Sequence, residues 1–192
     1  RDNVSLVDVR ESPIERFTDK GIMAGGTEYE FDVVILATGF DAMTGALTSM
    51  DIKAGGRSLR TEWAHGPRTY LGLMAEGFPN LFMITGPGSP SVLTNMITSI
   101  EYHVDWVTRA IGDLRERGAV RMEPWPEAQA HWTQVVNDLA ARTLMPQANS
   151  WYMGANIPGK ERIFMPFVGG HAAYAQIAGG VAVAGYHGFE LT

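Results

Sequence analysis

The chain has 192 residues, 45% hydrophobic and 19% charged, which is enough apolar material to give one domain, or one and a half, a sizeable core. Its formal net charge of -6 leaves no basic footprint for nucleic acid or an anionic membrane surface, so neither is expected as a partner. The absence of cysteine excludes disulfide frameworks, thiolate catalysis and cysteine-based zinc or iron-sulfur sites; no apolar run approaches the roughly 20 residues of a bilayer span, and with no signal-peptide core at the front a cytoplasmic protein is expected.

In chain order, residues 4 to 37 read as short β-prone runs, "VSLVDV", "PIERF" and "GIMAGGTEYEFDVVILA", split by Pro13, by Asp19-Lys20-Gly21 and by Gly25-Gly26. The pattern predicts a small antiparallel meander feeding one strongly apolar strand, Val33 to Ala37, with the two-sided hydrophobicity of a central parallel strand. The first run begins almost at Arg1, as if an upstream element preceded it. Residues 41 to 79 are glycine-rich and irregular, with short helices expected at 46–50 and 59–64. A second buried strand is predicted at 80–86, "NLFMITG", then the loop "PGSPSVL" and a long helix from about Thr94 to Arg117. The apolar positions of that helix, Met96, Ile100, His103-Val104, Val107, Ile111 and Leu114, recur at helical spacing, and Gly118 stands where a C-terminal stop belongs. A further helix is expected from Pro126 to about Thr143, with proline in its first turn and Glu127 complementing the dipole. Residues 145 to 170 carry Gly, Pro and Asn too densely for regular structure. A last helix, about His171 to Ala184, leads into a short terminal strand, "GFEL".

Two stretches suggest chemistry. In "DVVILATGFDAMTG" (32–45) a strand ends in Ala37-Thr38-Gly39, and a glycine at the carboxyl end of such a strand lets a nucleotide approach the backbone. A buried strand with a tight exit turn would give the same pattern. In 84–96, Gly86-Pro87-Gly88 frees the backbone to bend around a planar ligand, and Ser91, Thr94 and Asn95 place polar groups at the start of the long helix. A helix N-terminus carries roughly half a positive charge and several unpaired N–H groups, suited to an electron-rich ligand edge; a capped helix with no ligand is the alternative. The five histidines (His65, His103, His131, His171 and His187) are scattered without ligand spacing, and no metal site is expected.

The string "DVVILATGFD" resembles the ATG segment of two-dinucleotide-domain flavoproteins, in the form found in Baeyer-Villiger monooxygenases (class B flavoprotein monooxygenases). "EWAHGPRTYLGL" (62–73), "GFPNLFMITGPGSPSVLTNM" (77–96) and "NSWYMGANIPGKERIFMPFVGG" (149–170) continue the likeness in order, so that it covers essentially the whole chain and is nearest to the phenylacetone and steroid monooxygenase branch. The resemblance implies an α/β fold, the C-terminal part of a Rossmann-like FAD/NADP flavoprotein with a helical segment. Residues 1–40 would be the end of the NADP-domain connection and the small β-meander returning to the FAD domain. Residues 41–192 would be the C-terminal part of the FAD domain, with the helical region and a mobile control loop at about 145–170. The implied cofactors are FAD and NADP(H), with a ketone and O2 as substrates and one oxygen atom inserted beside the carbonyl through a C4a-peroxyflavin to give an ester or lactone. By resemblance Thr38, Gly39, Asp41, Gly86, Asn95, Met96 and Trp151 contact cofactor, and Ser91, Val92, Leu93 and Met153 build the ketone pocket. Lys160 and Arg162 could meet a phosphate or simply face solvent.

The glycine fingerprint that cradles a pyrophosphate is missing. Gly86 to Ser91 comes nearest to G-x-G-x-x-G, but its proline and serine, and the lack of an acidic ribose partner at the right distance, rule it out. The NADP-binding unit and the arginine that stabilises the peroxyflavin are also missing; in the family these lie upstream, so no catalytic residue is assigned to this segment. It is expected to pair with the N-terminal FAD/NADP-binding portion of the same enzyme and to be inactive alone. An N-hydroxylating or sulfoxidising flavin monooxygenase, or a non-catalytic interaction module that kept the fold, are the alternatives.

Overall fold

A computed structural model of the chain describes the backbone of all 192 residues and every side chain except that of Val92. The chain divides into two compact units, Arg1–Gly39 and Phe40–Thr192.

The first unit is an antiparallel sheet of β1 (Ile14–Phe17), β2 (Gly21–Ala24) and β3 (Thr27–Glu30), in that order. Its turns follow from the sequence. Thr18 Oγ1 accepts the Gly21 N–H at 3.0 Å between β1 and β2, and Gly25 and Gly26, at φ +54° and +75°, make the two-residue turn between β2 and β3 that requires two left-handed positions. β1 pairs Ile14 with Ala24 and Arg16 with Met23, so one residue of β1 is left over as a bulge. The predicted strand at 33–37 does not form. Val33, Ile35 and Leu36 are 75%, 85% and 68% exposed and lie outside any strand, as does the 4–9 run. A parallel strand takes its hydrogen bonds from neighbours, and every strand pair among the described residues is antiparallel and none includes this segment.

The second unit is mainly helical. α1 (Gly45–Ser49), the hairpin β4 (Lys53–Ala54) and β5 (Arg57–Ser58), and α2 (Leu59–Glu62) enclose a small core of Leu59, Trp63, Ala75, Phe78 and Met83. Arg57 bridges Glu62 and Glu76 beside it, at 3.0 and 2.8 Å. The main core lies between α3 (Met96–Glu116), α4 (Pro126–Ala141) and α5 (His171–Val183). Along α3 the buried positions are Ser99, His103, Trp106, Ala110 and Leu114. Of the apolar positions expected to face inward, Val104 and Ile111 are exposed, because the buried face is set by Trp106, which donates its indole N–H to the Ala178 carbonyl of α5 at 2.9 Å. Tyr102 donates to Ala175 O at 2.9 Å, Tyr174 to Leu71 O at 2.6 Å and Trp132 to Gly88 O at 3.0 Å, so each aromatic body fills core while its polar tip is paired. β6 (Met122–Pro124) and β7 (Phe189–Leu191) pair antiparallel. The 80–86 segment, predicted as a strand, forms no strand; Met83 N–H donates to Leu73 O at 2.7 Å, but no continuous ladder exists on either side. No helix is long and apolar enough to cross a membrane.

Candidate functional site

The loop that resembles a phosphate cradle is occupied by the protein itself. A Cβ on Gly86 would stand 2.6 Å from the Gly72 carbonyl oxygen, and one on Gly88 3.0 Å from Thr69 Oγ1 and 3.1 Å from the Trp132 indole nitrogen. Gly88 N–H donates to Met165 O at 2.7 Å, Phe167 N–H to Ser89 O at 2.8 Å, and Thr69 Oγ1 to Pro87 O at 2.6 Å. Gly86 is required by backbone packing and Gly88 by the Thr69 and Trp132 side chains, and the Gly88 amide is not free to hold a pyrophosphate. Gly86 is buried in this arrangement.

Strain brackets the loop. Thr85 and Ser91 lie at φ +54° and +46°, a region that residues other than glycine rarely enter and that costs on the order of 1–3 kcal/mol per residue. Thr85 is held there by His103, fully buried on α3, whose Nδ1 accepts the Thr85 N–H at 2.8 Å. That bond fixes the tautomer, with the proton on Nε2, which has no partner among the described residues. Burial, and then the charge of His171, push the His103 imidazole down to about 4 from its ordinary 6.5, so it is neutral at pH 7.

The loop delivers the chain to the start of α3. Asn95 caps this helix, its Oδ1 accepting the Ile97 and Thr98 N–H groups at 3.0 and 3.4 Å. The Asn95 side-chain NH2 and the Met96 N–H have no acceptor among the described residues. Asn95 is exposed and Met96 half-buried, at the positive end of a 21-residue dipole. Donors of this kind fit the electron-rich edge of a flavin ring. Thr38 and Gly39 are exposed, without hydrogen-bond partners among the described residues, and Gly39 takes φ +78°, a backbone that a side chain would strain. Among the described residues, Asn95 and Met96 leave donors unpaired at the start of α3, and the Gly86–Ser91 loop forms no phosphate cradle.

Asp41 is committed within the protein. Lys160 Nζ lies 2.6 Å from its Oδ1 and 2.6 Å from Thr44 Oγ1, and Thr44 Oγ1 is 3.0 Å from both Asp41 oxygens. Burial alone would raise the Asp41 carboxyl, but the bonds from Lys160 and Thr44 outweigh it and hold it below the usual carboxylate range. The sequence left Lys160 between a phosphate ligand and a solvent-facing cation; its partner is a carboxylate 119 residues earlier.

The 145–170 segment is irregular but not shapeless. Trp151 opens a single 3-10 turn, 151–153, capped by Ser150 Oγ on the Tyr152 N–H at 3.3 Å and ended by Gly154 in the left-handed region. Its ring, half-buried, lies on Tyr152 with centroids 4.2 Å apart. Met153 is buried with Ala140 and Phe164, and Leu93 packs against the same cluster, so two of the expected pocket residues meet. Met153 also lines a cleft of about 410 Å³ with Phe164, Ala140, Asn137 and Arg162. Ser91 is buried away from that cleft, its hydroxyl 3.7 Å from Met43 Sδ, and the Val92 side chain lies outside the described residues. Sequence reasoning missed Thr44, and it counted His103 only as one more inward position. Among the described residues no group of three or more His, Asp or Glu could hold a metal.

No protein-family model matches the chain. Over its whole length it is 44% identical to an acetone monooxygenase (methyl acetate-forming) of Gordonia sp.. It is also 44% identical, over 97% of its length, to a Baeyer-Villiger monooxygenase of Pseudooceanicola batsensis. All of it superposes on an oxidised steroid monooxygenase bound to NADP, with a TM-score of 0.88 and 52% identity. The chain spans about a third of each of these proteins: 37%, 34% and 36% of their lengths.

Proposed function

This chain corresponds to the C-terminal portion of the Baeyer-Villiger flavoprotein monooxygenases, with their Rossmann-like α/β fold, and on that premise we propose that it completes the FAD site, ketone pocket and NADP-facing loop of such an enzyme. The observation that carries the reading is the similarity to ketone and steroid monooxygenases along the entire chain. The unpaired donors of Asn95 and Met96 at the start of α3 agree with it.

Bound FAD, reduced by NADPH, supplies the activation of O2; the remaining work falls to the protein. Asn95 and Met96 orient the flavin ring by donating to its electron-rich edge, and the α3 dipole favours negative charge there. His103, by holding Thr85 in its left-handed conformation, fixes the course of the chain into Gly86. Leu93 and Met153 give the ketone an apolar wall, with Ser91 behind it. Trp151 covers the cofactor site and excludes water. Thr38 and Gly39, and in the second unit Asp41, each contact the nucleotide. The phosphate cradle and the charge-stabilising arginine come from the N-terminal portion of the enzyme.

The test is product analysis on the full-length enzyme with NADPH, offered a ketone and a sulfide in parallel. Ketone-dependent NADPH consumption with formation of an ester or lactone is expected. Oxygenation at sulfur or nitrogen alone would place the enzyme with the N-hydroxylating and sulfoxidising flavin monooxygenases instead. The 192-residue chain by itself is expected to retain no FAD after gel filtration.

A further inference from the structure

We propose that Lys160 is a positioning residue, the strut that fastens the 145–170 loop to the Asp41–Thr44 turn and so holds the Trp151 turn in place. The consequence for cofactor binding rests on the reading above of this loop as NADP-facing.

Four observations carry the inference. The Lys160 ammonium sits 2.6 Å from both Asp41 Oδ1 and Thr44 Oγ1, and Thr44 is itself bonded to Asp41, so three groups close into one charge-assisted triangle. The pair is sheltered: the Lys160 and Asp41 side chains are 18% and 25% exposed, whereas the Lys20–Glu30, Lys53–Asp51 and His65–Glu161 pairs are mostly in water. A partly sheltered ion pair of this kind is less subject to the screening that makes surface pairs nearly worthless. The stem of Lys160 lies across Gly154, where a Cβ would come within 3.0 Å of Cδ and 3.3 Å of Cε; Gly154 is the residue that ends the Trp151 turn. A second tie joins the same two segments, Asn156 Nδ2 donating to Phe40 O at 3.0 Å.

The side chain therefore has a load at each end. Its head is fixed to a turn whose shape is reserved by Gly45, where a Cβ would meet Asp41 Cβ at 2.8 Å, and its stem presses on the backbone beside Trp151. Removing the ammonium leaves Asn156 as the remaining tie and leaves Asp41 partly buried without its counter-charge. The 150–162 segment then opens more often, and a cofactor that needs Trp151 in place binds more weakly.

The experiment uses the full-length enzyme with Lys160→Met, Lys160→Arg, Asp41→Asn and the Lys160→Met/Asp41→Asn double variant. Hydrogen-deuterium exchange of the 150–162 peptide is measured alongside FAD content and the KM for NADPH and kcat. Lys160→Met is expected to speed exchange in that peptide roughly tenfold or more, the loss of one charged hydrogen bond, with other peptides and FAD content unchanged. It is also expected to raise the KM for NADPH about as much while kcat changes little. Lys160→Arg keeps most of the protection, and the double variant is no worse than the single ones because both remove one interaction. Unchanged exchange in Lys160→Met, or single effects that simply add in the double variant, would overturn the strut. Faster exchange with an unmoved KM for NADPH supports the strut and refutes the reading of the loop as NADP-facing.

Discussion

Lowering the pH should destabilise this protein through His103. The imidazole is fully buried, its Nδ1 must remain unprotonated to accept the Thr85 N–H, and burial with the nearby His171 pushes it down to about 4. Because the folded value lies below the ordinary 6.5, the unfolded chain takes up the proton first. The stability contributed by the neutral imidazole is therefore complete above about pH 6.5 and is lost as pH falls toward 4. The full displacement corresponds to about 3 kcal/mol, and about 2.5 kcal/mol of it is gone by roughly pH 4.5. Urea unfolding at pH 7.5 and 4.5 measures it when wild type is compared with His103→Asn, whose amide oxygen can accept from Thr85 and does not titrate. Carboxylates common to both proteins cancel in the difference. Wild type should lose ~2.5 kcal/mol more than the variant between the two pH values; equal losses would refute the assignment of His103 as an obligatory neutral acceptor.

Gly39→Val places a β-branched residue at φ +78° and is expected to strip FAD from the full-length enzyme, seen as loss of visible flavin absorbance per mole of protein. Trp151→Ala should raise the KM for NADPH about tenfold or more with FAD content unchanged, since the half-buried indole lies on Tyr152 within its own turn. Met153→Ala and Leu93→Ala should change which ketones are turned over, read from kcat/KM across a size series; Met153→Ala should also cost about 2–4 kcal/mol of stability because its side chain is buried against Phe164.

The three long helices were legible because their signals are local: proline at the first turn of α4, and a glycine after α3 with apolar spacing along it. The two apolar runs at 33–37 and 80–86 were legible as buried strands by composition, yet neither forms one here. Apolar content reports the environment a segment is suited to, whereas a ladder needs neighbours, and neither segment pairs with a strand among the described residues. In the site, Asn95 was readable as a polar group at the start of the long helix, where it proves to be the cap, and Leu93 packs against the cluster that holds Met153. Gly86 was noticed for the right property, but the space it leaves is taken by the Gly72 carbonyl, a contact that spacing along the chain does not reveal. The Lys160–Asp41 bond spans 119 residues, and a lysine in a polar loop carries no local sign of its partner. His103 fell on a helical face like any inward residue; only the left-handed Thr85 beside it gives the imidazole its task.

The central claim is that the chain is part of an enzyme that inserts oxygen from O2 beside a ketone carbonyl. Turnover of a simple ketone by the full-length enzyme under labelled ¹⁸O₂ with NADPH, followed by mass spectrometry of the product, tests it most directly. An ester carrying one labelled atom, with the other appearing as water, is the predicted result. NADPH oxidation yielding only hydrogen peroxide with the ketone untouched, or an ester without label, would contradict it.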